Sequence, residues 1–148
     1  MMAAAAPTIP MSIERLADWP DRLDRFLRER ADMPFAWGSN DCVTFAADAL
    51  AAMTGAELLT PIWHSAITAK AAIGSESLLV RADRVMQKVF SQIPRAFARR
   101  GDIGLGDGEH GPTLVVKTVS YWVGPGTTHM LAMPDEKVAL SWAIGWRP

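Results

Sequence analysis

The sequence predicts an α+β fold, and three observations carry that expectation. Helical apolar periodicity occupies the chain as far as Pro94. From Gly101 the texture changes to short β-prone runs: "DIGLG", "TLVVKTV", "SYWVG", "THMLAM" and "LSWAIGW". The segments between them, "DGEHGP", "GPGT" and "PDEK", carry turn chemistry. Helices first and strands after argue for an antiparallel sheet packed on helices. A length of 148 residues fits one domain, placed at 13–148 behind a flexible N-terminal arm at 1–12.

The first helix starts at Asp18-Trp19-Pro20, with proline tolerated in the first turn. Leu23, Phe26 and Leu27 form its apolar stripe, which Trp19 can extend, with Arg22, Asp24, Arg25, Arg28 and Glu29 on the wet side. Pro34 and Gly38 then punctuate a loop, "ADMPFAWGSN". In "DCVTFAADALAAMTG", Asn40 or Asp41 can cap a helix and Gly55 suits its C-terminal end. Cys42, Phe45, Ala46, Ala49 and Met53 share a face, and Val43, Ala47, Leu50 and Ala51 are apolar as well. A helix apolar nearly all round is buried, so this is the expected central helix. Residues 56–64 form a loop. "SAITAKAAI" reads as a short helix ending at Gly74. "SESLLVRADRVMQKVF" reads as a longer one capped by Ser75.

Composition narrows the function classes. Apolar residues make up 49% and charged residues 21%, a globular balance. A net charge of -1 gives no basic field for nucleic acid. One cysteine excludes an intrachain disulfide and a cysteine-based zinc site. No apolar run reaches the ~18 residues of a spanning helix, and "MMAAAAPTIP" lacks the parts of a secretory signal. No histidine–carboxylate spacing suggests a metal, and the glycines of "GDIGLGDG" do not precede the Gly-Lys-Ser/Thr of a phosphate loop. No cofactor is therefore expected. "PRAFARRGD" is a local basic cluster that reads as a solvated junction.

The chemistry-bearing candidate is Cys42. Two readings compete: a small buried apolar residue, or a nucleophile. At a helix N-terminus the dipole and unpaired N–H groups favour thiolate, while Asp41 beside it disfavours a second negative charge. A nucleophilic cysteine needs a base, usually histidine. Of the 3 histidines, His64 reads as a surface residue and His129 as part of a strand. His110 stands at the entrance to the first long strand, either as a polar turn residue or as an imidazole aimed at the helix start. Trp37 is the one tryptophan in the candidate loop, and Trp37 and Asp41 are the expected substrate-binding residues.

"PFAWGSNDC" resembles the N-terminal signature of the NlpC-type cysteine peptidases, a papain-like family that cleaves peptidoglycan stem peptides. "RRGDIGL" resembles their second signature, and His110 before "GPTLVV" matches the catalytic histidine position. With "DWPDRLDRFL" and the closing "SWAIGW", the chain is most similar to a small phage-tail and prophage family at the edge of that group, from about Ile13 to Trp146. The resemblance implies a papain-like fold, with Cys42 on a central helix against the sheet and Cys42–His110 acyl transfer. It also implies a place in the virion tail among other tail-tip proteins, after synthesis in the host cytoplasm. On the second strand after His110, where the family orients its histidine, stand Ser120, Tyr121 and Trp122. Val43–Thr44 and Phe35 replace the family's usual serine–glycine and tyrosine. The alternative is a catalytically inert structural tail-tip protein on the same scaffold.

Overall fold

The structure, a computed structural model, describes residues 13–56, 83–109 and 111–148. It is α+β, with helices α1 (Trp19–Arg30) and α2 (Cys42–Thr54) preceding six strands. These are β1 (Ser91–Ile93), β2 (Ile103–Gly108), β3 (Gly111–Lys117), β4 (Trp122–Pro125), β5 (Met130–Met133) and β6 (Val138–Ala143). They form one sheet in the order β1-β6-β2-β3-β4-β5, and every neighbouring pair is antiparallel. The expected helices across 57–82 lie outside the described residues. Of the longer one, expected to reach Phe90, the described part is helical only at 83–86; the chain then turns and extends into β1. Ser91–Ile93 was not expected as a strand; three residues are too few for alternation to be legible.

Both described helices follow from their sequences. In α1, Leu23 and Phe26 are buried, and Phe26 meets Phe45 of α2 with ring centroids 5.1 Å apart. Burying each such side chain is worth roughly 1.5–3 kcal/mol. In α2, Phe45, Ala46, Ala49, Leu50 and Met53 are buried, and Gly55 ends the helix in the left-handed conformation.

The strands alternate between two faces. Ile103, Leu105, Leu114, Val116, Val123 and Trp142 join the helices in the main core. Val115, Trp122, Met133 and Val138 form a second cluster on the other face. Gly106 of β2 lies so near Met133 of β5 that an added Cβ would sit 2.3 Å from the sulfur. Those residues are three strands apart, so the sheet must curl toward its second face. The same Cβ would lie 2.9 Å from the Lys137 carbonyl. The link from β5 to β6 therefore passes over β2 at a position without a side chain. Asp135 in this link accepts from Lys117 Nζ at 2.8 Å and from Trp122 Nε1 at 2.7 Å.

A second tie closes the other end of the molecule. Arg15 donates to the Ile144 carbonyl at 2.6 Å, the Arg100 carbonyl at 2.6 Å and Asp102 Oδ1 at 2.9 Å. Asp102 is fully buried and also accepts from the N–H groups of Ile144 and Arg99 and from Trp146 Nε1. Gly101, at φ +92, makes room: a Cβ there would lie 2.7 Å from Met53 Sδ and 2.8 Å from Arg15 Nη1.

Candidate active site

The head of α2 is built by its cap. Asp41 Oδ1 accepts from the Thr44 N–H at 2.8 Å, and Thr44 Oγ1 accepts from the Asp41 N–H at 2.8 Å. This is a reciprocal capping box in which threonine takes the usual glutamate place. Asp41 Oδ2 accepts from the Gly38 N–H at 2.8 Å, which folds the loop back onto the cap. Asn40 is buried too; its Nδ2 donates to the carbonyls of Met33 and Pro34, and its Oδ1 accepts from Arg30. The Phe35 N–H donates to the Gly126 carbonyl and the Met130 N–H to the Ala31 carbonyl, both at 3.0 Å. The loop before Cys42 is thus fastened to α1, to α2 and to the β4–β5 connection.

Cys42 takes the first position of α2, as expected, and is a half-buried free thiol. Burial pushes this thiol up to about 11; the charge of Asp41 adds to the rise. Backbone hydrogen bonds at Leu114 of β3, and at Cys42 and Val43, pull against it. Burial and the charge of Asp41 thus oppose the thiolate that a helix start favours. The Leu114 contribution puts the sulfur close to the backbone of β3, and Cys42 packs against the core cluster that includes Leu114.

The other expected site residues divide. Trp37 is 44% exposed and meets Phe35 edge-to-face, with centroids 4.9 Å apart. It offers an aromatic surface on the loop leading to Cys42. Asp41 does not face a substrate; it is 1% exposed, and both its oxygens are engaged in the cap and the loop. Its expected substrate-binding role gives way to a positioning one. His110 and His64 lie outside the described residues. The strands that flank His110 in sequence close at the pair Gly108 and Gly111.

Two expectations about the sheet are also corrected. Lys117 pairs with Trp122, so Ser120 and Tyr121 lie at the end of β3 away from Gly111. Trp122 is fully buried in the second cluster. None of the three stands beside the head of β3. The connection from Gly126 to His129 lies at that head instead: Thr127 Oγ1 donates to Glu109 Oε2 at 2.7 Å. His129 precedes β5 rather than lying in a strand, and it is exposed, with Nδ1 2.8 Å from Thr128 Oγ1. Hairpin register decides which residues oppose the head of β3, and turn length sets that register; "TVSYW" does not reveal where the turn ends.

Fold and site define an α+β domain with a free thiol at the head of a buried helix, set against an antiparallel sheet. Among the described residues no cluster of histidine, cysteine and carboxylate side chains could hold a metal ion, and no helix is long and apolar enough to cross a membrane. The chain belongs to the family DUF6950, a domain of unknown function, whose profile it matches over residues 14–144. Among curated proteins, none matches the chain.

Proposed function

We propose that this domain is a papain-like, NlpC-type cysteine peptidase of a phage tail, acting on peptidoglycan stem peptides. One observation carries the reading. Cys42 heads a buried helix with its sulfur against the β3 backbone at Leu114, on the strand that His110 precedes in the sequence. Papain-type chemistry needs this relation, a thiol at a helix start beside the strand that brings the base.

In this reading His110 removes the Cys42 proton as sulfur attacks the peptide carbonyl. Because burial disfavours the thiolate, the reaction depends on His110 taking the proton. Backbone N–H groups at the start of α2, including that of Cys42, receive the developing oxyanion. His110 then protonates the leaving amine. Water attacks the thioester, releasing the carboxylate and restoring the thiol. Trp37 provides a surface for the substrate, and other tail-tip or hub proteins are the partners within the virion.

The rise of the thiol to about 11 favours a second reading, a structural tail-tip protein that keeps the scaffold without the reaction. Incubating the protein with purified stem peptides, followed by mass spectrometry, separates the two. Cleavage by the wild type that Cys42→Ala and His110→Ala both abolish supports the peptidase. Cleavage that survives in Cys42→Ala overturns it, and an inert wild type hands the case to the structural reading.

A further inference from the structure

The basic run at Arg99–Arg100 has no part in the proposed chemistry. It lies near the other end of α2, where Leu16 donates to the Met53 carbonyl. Three guanidiniums converge there on two indoles. Arg15 lies 4.2 Å and Arg100 5.8 Å from the Trp19 ring centroid, and Arg99 lies 3.9 Å from that of Trp146. These five residues help to line an open cleft of about 580 Å³.

The charges in this cleft are unbalanced. Burial lowers the Arg15 pKa, Asp102 pulls it back up, and the charges of Arg99 and Arg100 lower it again, so the three cations feel one another. Asp102 is committed to Arg15, to two backbone N–H groups and to the Trp146 indole. Among the described residues, the side chains of Arg99 and Arg100 have no carboxylate partner. Glu14, also on the cleft, makes no ion pair either and offsets only one of the two charges. A guanidinium held over an indole face has lost much of its rotamer freedom, while its N–H donors can still grip an oxyanion bidentately.

We propose that this cleft is a binding site for an oxyanion, a phosphate or carboxylate group held between Arg99 and Arg100. The site is independent of Cys42 and does not rest on the peptidase reading. The test is a titration with inorganic phosphate, and separately with acetate, at ionic strength held constant with chloride. The Trp146 indole N–H is followed by nuclear magnetic resonance. The expected result is a saturable shift beyond the chloride control. In Arg99→Gln/Arg100→Gln the midpoint should move about tenfold or more toward weaker binding, with the circular dichroism spectrum retained. Saturation by phosphate alone names a phosphate-bearing ligand, and saturation by acetate names a carboxylate-bearing one. A wild type that responds no more than to chloride, or an equal midpoint in the double variant, overturns the proposal.

Discussion

Arg15 Nη2 donates to Asp102 Oδ1 at 2.9 Å across 87 positions of chain, and neither side chain is more than 10% exposed. The contact joins the segment ahead of α1 to the turn that opens β2. Asp102→Asn should lower stability by about 3 kcal/mol, because removing one partner of a buried pair leaves the other uncompensated. Arg15→Met should cost a similar amount, and the double variant less than the sum. Urea denaturation of the four proteins gives the coupling. Strict additivity would mean that the two side chains act separately.

Asp41 should matter to the scaffold before it matters to chemistry. Asp41→Ala removes the acceptor for both Thr44 and Gly38. The loss should be about 1–2 kcal/mol, the range for an N-cap. Asp41→Asn, which keeps an acceptor oxygen, should recover most of it. Thermal melts decide, and an unchanged melting temperature in Asp41→Ala would remove the cap from the account.

Gly106 tolerates no side chain. Its Cβ would meet both the Met133 sulfur and the Lys137 carbonyl, and the latter is backbone that cannot swing aside. Gly106→Ala should therefore cost about 2 kcal/mol, within the overpacking range. Shortening the neighbour as well, in Gly106→Ala/Met133→Ala, relieves the sulfur clash only. A single variant as stable as the wild type would show that the crossover has slack.

Two groups give pH signatures of opposite sign. Hydrogen bonds from Lys117 and then Trp122 hold the Asp135 carboxyl below its ordinary value. Its contribution is present above about pH 4 and is lost as the pH falls through the lowered value. The carboxylate is 45% exposed, so the effect should stay below about 1 kcal/mol. The stability gap between wild type and Asp135→Asn should narrow in acid.

Cys42 works the other way. Its thiol is raised, so the stability linked to it is complete below the unfolded value, about pH 8.5, and falls as the pH climbs through about 11. Alkylation by iodoacetamide should be slow at pH 7 and should accelerate toward pH 11. A fast plateau reaching down to pH 6 would show a thiolate already formed at neutral pH and would contradict the burial argument.

Much of the helical half is legible in the sequence, because each signal there is local. Pro20, Asp41 and Gly55 mark ends, and the spacing of Leu23 and Phe26 marks a face. The β-prone runs of β2, β3 and β6 are legible for the same reason. Register, pairing order and curl are not, since they arise from contacts between distant residues. Nothing around Gly106 announces that a later turn will cross it, and nothing around Asp102 announces Arg15. Cys42 was visible as a candidate because it is the lone cysteine at a helix start. The state of its proton was not, because desolvation depends on what packs over the sulfur. Asp41 was legible as a cap, but its burial was not: a carboxylate beside a thiol looks the same in sequence whether it faces solvent or its own helix.

The capping box has an evolutionary corollary. The start of α2 is fixed by Asp41 and Thr44, and the thiol contributes none of the hydrogen bonds between their side chains and the backbone that hold the turn. Selection on architecture and selection on reactivity therefore act on different positions of the same short segment. A lineage can discard the thiol, or acquire it again, by changing one residue while inheriting the helix intact.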